Sequence, residues 1–228
     1  MEINSTTNER KKTIFSKISD YIFNPKVFFE ENKEKSKVLI PMLLIVISAA
    51  FLQSVTMSIV TGNEDAMKEL GENGVAVLNK LSILYGLFVG GIGSIISQLI
   101  VALIIFACFK FILNGSMTYK NILSVYCFAS LPNVLLNIIN IIVYKTNNNI
   151  STSLTSILIK TINPFTFWSF ILLIIGAAVV SSVSIKKSVT IFVVLAFISI
   201  GVTLAGYYLS NISTELTNQI PNSNFQVQ

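Results

Sequence analysis

FWSFILLIIGAAVV, residues 167–180, decides the fold. A strand buried on one face, or a strand of a membrane barrel, alternates apolar and polar residues with period two, and this run does not. In hydrocarbon every backbone N–H and C=O must be satisfied within the chain, and a helix does so with its own atoms. LIVALIIFACF (99–109) has the same character. Of the 228 residues, 53% are apolar or aromatic and only 12% are charged, and the apolar residues are gathered into runs. A hydrocarbon core about 30 Å thick needs about 20 apolar residues per helix. Five stretches reach or approach that length: 38–60, 81–109, 121–144, 165–185 and 188–209. The expected fold is therefore all-α, a polytopic membrane protein with a five-transmembrane-helix bundle over 38–209. A cytoplasmic amphipathic segment (1–37) precedes it and a polar extracellular tail (210–228) follows.

The basic residues orient the bundle. Residues 1–37 hold eight, and Lys110, Lys120, Lys186 and Lys187 fall in connections on the same side, against only Lys68, Lys80, Lys145 and Lys160 on the other. The positive-inside bias puts the N-terminus in the cytoplasm and the C-terminus outside a cell membrane. The loop TGNEDAMKELGENG (61–74) is net acidic, as an external loop can be. No cleavable leader is read, because the first apolar run begins near Val38 and has the length of a span. The net charge of +5 reflects this topology, and the N-terminal segment balances eight bases with six acids, so nucleic acid is not an expected partner.

Absences exclude whole classes of chemistry. There is no histidine, hence no imidazole base, no Ser-His-Asp triad and no HExxH zinc site. No acidic residue lies between Glu72 and Glu215, so the later spans have none of the carboxylates on which proton relays depend. Cys108 and Cys127 lack CxxC spacing and read as small apolar side chains. No Walker phosphate loop is present, so ATP-driven work would fall to a partner. Neither an enzyme activity, a cofactor nor a metal is expected.

Polar chemistry is concentrated in ASLPNVLLNIIN (129–140). Asn133, Asn137 and Asn140 are spaced four and three apart and so share one helical face, which Tyr126 and Ser130 extend. Amides facing lipid would lose hydrogen bonds to water and gain none, so the stripe is expected to face the bundle. Pro132 lacks an N–H and leaves the carbonyl of Phe128 without its helical donor, which predicts a kink repaired by a neighbouring side chain or a water. The stripe is read either as interhelical glue or as the lining of a polar cleft. In the second span, GLFVGGIGSIISQ (86–98) sets Gly86, Gly90 and Ser94 at four-residue steps, with Gly93 and Ser97 on an adjacent line. Small residues so spaced let helix backbones approach, within the chain or against a partner. Gln98 is a candidate partner for the asparagines, and the 29-residue length of this stretch implies tilt or extension into the outer loop.

Ahead of the first span, TIFSKISDYIF (13–23) places Ile14, Ile18 and Ile22 on one face with Phe15 beside them. NPKVFFEENKEK (24–35) restarts a helix with Pro25 in its first turn. An interfacial helix is expected, its apolar side on membrane lipids and the Arg10 to Lys12 cluster drawn to anionic headgroups. ISTSLTSILIK (150–160), with Ile150, Leu154 and Ile157 on one side, reads as a short helix on the outer surface. Gly115 is expected to permit the tight turn after the second span, and Trp168 with Phe165 and Phe167 to sit at the outer headgroup level.

NPKVFFEENKEK, GSMTYKNILSVYCFASLP (115–132) and NPFTFWSFILLIIGAAVVSSVSIKKS (163–188), in that order and spacing, resemble the Yip domain family of Ypt-interacting proteins over about residues 22–209. The resemblance implies a five-span bundle with a cytoplasmic N-terminus. It also implies one of two roles: binding of Rab-type GTPases in vesicle transport, or, among bacterial members, a cell-membrane role that in some cases accompanies ABC exporters. The expected function is a non-enzymatic accessory or scaffold subunit docked on a larger membrane complex, with ABC exporter subunits as the expected partner. The alternatives are a transporter or channel along Asn133, Asn137 and Asn140, and a lipid-binding, membrane-shaping protein.

Overall fold

The computed structural model describes residues 13–35, 37–61, 64–147 and 163–219. Among them there is no strand, and the helices are α1 (Ile14–Phe23), α2 (Pro25–Asn32), α3 (Leu39–Thr61), α4 (Glu64–Ala107), α5 (Tyr119–Ala129), α6 (Leu131–Asn147), α7 (Pro164–Ser181) and α8 (Ile185–Gln219). A π-helical turn, Cys108–Ile112, closes α4. Five segments are long and apolar enough to cross a membrane: α3, most of α4, α5 and α6 in series, α7, and most of α8. The outer helix expected around Ile150, Leu154 and Ile157, the Arg10 to Lys12 cluster and the tail beyond Gln219 lie outside the described residues.

The boundaries follow from local chemistry. Thr118 caps α5, its Oγ1 accepting from the Asn121 N–H at 3.3 Å, and Asn163 caps α7, its Oδ1 accepting from the Thr166 N–H at 2.9 Å with Pro164 in the first turn. The fourth span stops where Ser182 turns left-handed (φ 57°) and the Val183 N–H donates back to the Ala178 carbonyl at 3.1 Å. In the turn after the second span the left-handed residue is Asn114 (φ 52°). The role of Gly115 there is close approach: a Cβ would stand 3.0 Å from Ser181 Cβ and 3.1 Å from the Phe109 carbonyl oxygen. Its N–H donates to that same carbonyl at 2.9 Å.

Two segments expected to lie outside the spans are helical, the first of them as the extension that the length of the second span allowed. At 44 residues, α4 is about 66 Å long. The span therefore extends into the acidic segment that follows the first span, whose Glu, Ala, Met, Lys and Leu residues are good helix formers in spite of their polarity. The fifth span likewise continues to Gln219, past the polar tail expected from residue 210, because each residue added to an existing helix gains a backbone hydrogen bond.

The first two spans form a tight hairpin. A Cβ on Gly86 would lie 2.5 Å from the Ser54 Cα and N, and one on Gly90 2.9 Å from the Ala49 carbonyl oxygen. Gly86 and Gly90 are therefore covered by the first span and are not a face left for a partner. The third and fourth spans are the most buried, and α8, which packs on α7, is the least. Gly86→Ala should cost about 1–3 kcal/mol by forcing the hairpin apart. Gly93→Ala, whose Cβ would meet no atom within 4 Å, should lose nothing and gain up to about 1 kcal/mol of helix propensity. Equilibrium unfolding in mixed micelles, followed by helical circular dichroism, measures both.

Candidate functional site

The third span is two helices in series. The chain turns at Ser130, whose N–H still reaches the Tyr126 carbonyl at 3.0 Å, and α6 restarts with Pro132 in its first turn. The carbonyl that Pro132 orphans, that of Phe128, accepts a hydrogen bond from the Tyr21 hydroxyl at 3.0 Å. The repair thus comes from α1, 107 residues away in sequence. Burial raises the Tyr21 phenol above its ordinary value of 10.0, so it remains a protonated donor.

An aromatic cluster holds this contact in place. Phe28 packs edge-on to Tyr21 (ring centroids 5.3 Å apart), to Phe29 (5.4 Å) and to Phe128 (5.2 Å). Phe28 and Phe29 are buried, and the Phe29 ring lies on the bare backbone of Gly176, where a Cβ would come within 2.9 Å of it and 2.6 Å of Val125. Sequence reading missed this seat. Two adjacent phenylalanines in an otherwise charged helix, and a glycine amid the apolar residues of the fourth span, were its signal. The segment expected to lie along the membrane surface therefore divides in two. Helix α2 is a wedge between the third and fourth spans, whereas α1 keeps an open apolar face, with Ile14 and Phe15 about four-fifths exposed and Ile18 and Ile22 about half.

The asparagine face is partitioned as well. Asn137 Nδ2 donates to Ser48 Oγ of the first span at 3.1 Å, and Ser48 in turn donates to the Ile45 carbonyl at 2.9 Å. Asn140 is half-buried one turn further on. Asn133 Oδ1 is buried without a hydrogen-bond partner, as is Ser169 Oγ on α7. Tyr126 and Ser130 are half-buried on either side of the turn. Gln98 does not meet the asparagines. Its Oε1 accepts from the Cys127 thiol at 3.4 Å and its Nε2 donates to the Ser94 carbonyl at 3.2 Å. The break at Ser130 is the reason: α5 packs on the second span, while α6 packs on the first. Ser94 is half-buried, and Gly93 and Ser97 remain exposed on the far line of the second span.

Beside this face, α1 and the first, third and fourth spans enclose an open apolar crevice of about 760 Å³, walled by Phe23, Leu44, Leu135 and Trp168 among others. Among the described residues no group of His, Cys, Asp or Glu side chains could hold a metal. What the arrangement can do is bind and pack.

Tyr21→Phe keeps the ring cluster but removes the hydroxyl bond to the Phe128 carbonyl, leaving it only the Ser130 N–H that is shared with Tyr126, and should cost about 0.5–1.5 kcal/mol. Increased proteolytic cleavage near α1 and a lower unfolding midpoint in detergent would report it. Because the phenol titrates higher folded than unfolded, this contribution is complete below pH 10 and declines as pH rises beyond it. Asn137→Leu should cost about 0.6–2 kcal/mol through the lost bond to Ser48. Asn133→Leu should cost less, since its oxygen has no bond to lose. The same unfolding assay ranks the two.

The chain is similar to a membrane protein of Bacillus subtilis (strain 168), YknW, with 30% identity over 218 residues, covering 86% of this chain and 90% of the relative. No solved structure matches it. The Yip1 domain matches residues 19–207, from the last turns of α1 to the fifth span and so through the α2 wedge. The chain belongs to the Yip1 domain family.

Proposed function

We propose that this Yip1-family membrane protein is a non-enzymatic accessory subunit that binds sideways to a larger membrane complex, with an ABC exporter of peptides or other amphiphiles as the class of partner. The observation that carries the reading is the fifth span. Ser188, whose Oγ donates to the Ile174 carbonyl at 2.8 Å, and the buried Phe192 hold its first turns to α7. Beyond them Gly201 and Ala205, four apart on one face, are exposed, and a Cβ on Gly201 would meet nothing within 4 Å. Gly93 and Ser97 form a second uncovered line of small residues on the second span. Without a hydrophobic drive between helices in lipid, small residues are where backbones approach. Two such lines, free of the chain's own helices, support a protein neighbour.

A conduction path along Asn133, Asn137 and Asn140 has less support, since Asn137 is engaged with Ser48. Extraction of the tagged full-length chain from its native membrane in mild detergent should bring down a partner in stoichiometric amount. Gly201→Leu with Ala205→Leu should reduce recovery of that partner at least tenfold without altering unfolding in micelles. Recovery of the lone chain, with photo-crosslinks from position 201 reaching lipid alone, would refute the reading.

A further inference from the structure

The geometry points to a lipid site: the crevice beside α1 holds one acyl chain of a phospholipid from the leaflet on the Pro164 side, with its ester end at Trp168 and its tail toward Phe23. Depth supports this. Leu131 and Leu135 lie 12 and 16 residues beyond Tyr119, about 18–24 Å along the span, and Trp168 lies 13 residues from Ser181, about 20 Å along the fourth. Ser181 and Tyr119 belong to the same end of the bundle, since the Ser116 N–H donates to the Ser181 carbonyl at 3.1 Å. In a hydrocarbon core about 30 Å thick, the crevice walls therefore stand in the half of the bilayer on the Pro164 side, between its middle and the ester level of that leaflet.

Chemistry narrows the occupant further. The walls are apolar, and the one hydroxyl among them, that of Tyr21, is spent on the Phe128 carbonyl. Beyond the single indole N–H of Trp168, no side chain there would satisfy the many polar groups of a peptide backbone or a sugar. A transmembrane helix about 10 Å across would fill 760 Å³ with only about two turns, whereas the volume lies in the ordinary range of small-ligand sites. Leaving the void empty would forfeit dispersion contacts along every wall. The open side is continuous with the exposed apolar belt that the bilayer already covers, since Leu44, Leu135 and Phe23 are each about half or more exposed. Trp168 stands one turn inside the start of the fourth span, at the level where an indole N–H can meet a glycerol ester. The site needs no protein partner and so stands apart from the role proposed above.

Trp168 is the chain's one tryptophan, which makes the test direct. The full-length protein is reconstituted with phospholipid carrying brominated acyl chains, then extracted into detergent until bulk lipid is removed. About one brominated lipid per chain should remain by phosphate assay, and Trp168 fluorescence should be at least twofold lower than after the same treatment with unbrominated lipid. Leu44→Phe with Leu135→Phe, two lipid-accessible wall positions on the first and third spans, should abolish the retained quenching, while quenching in brominated vesicles persists and reports a folded bundle. Leu135→Phe alone should halve it at least, and Ile198→Phe on the fifth span should leave it unchanged. Absence of retained quenching in the unaltered protein would overturn the proposal. So would undiminished quenching in the filled variants, or quenching that develops only after a co-purifying protein is stripped away.

Discussion

A single backbone oxygen, the Phe128 carbonyl, ties the two parts of this molecule together. Pro132 removes its helical donor, and in hydrocarbon an unmatched carbonyl costs several times what it costs in water. The Tyr21 hydroxyl supplies the missing hydrogen bond, and in doing so brings α1 against the middle of the third span. The edge-on rings of Tyr21, Phe28, Phe29 and Phe128 and the Phe29 seat on Gly176 follow from that approach. Without it α1 would lose its hydrogen bond to the third span, and the apolar crevice would lose a wall.

The same rule organises the rest of the bundle. Lipid tails are as apolar as leucine, so helices gain little by exchanging tails for one another, and contact is specified by close approach and by polar cross-links. Hydroxyls donating to backbone carbonyls recur between elements: Ser54 to Ile83, Tyr119 to Leu99, Ser124 to Lys37 and Ser188 to Ile174. These bonds need no charge, which fits a set of spans free of carboxylates. The third span is fastened in both of its halves, the Tyr119 hydroxyl of α5 donating to the second span and the Asn137 amide of α6 donating to Ser48 Oγ of the first.

Function follows from what is covered and what is not. The small residues Gly86 and Gly90 are consumed by the hairpin of the first two spans, which removes the face that looked most like a docking surface. Among the faces that stay open are the far line of the second span, the later part of the fifth, and the apolar side of α1. In the role proposed above, these uncovered faces are where a protein or lipid neighbour would sit.

By itself the sequence determined the fold class and the number of spans, because those depend on composition and on local rules. Twenty apolar residues make a span wherever they occur, and a proline orphans the carbonyl four residues before it in any helix. Only the tertiary structure decided who answers that carbonyl, that Gln98 serves Cys127 and the Ser94 carbonyl while Asn137 serves Ser48, and that Phe28 and Phe29 belong to the core. Those outcomes depend on which helices become neighbours and at what rotation. A change of direction at one residue, Ser130, is enough to send the two halves of a span to different partners, and no periodicity along the chain encodes that angle.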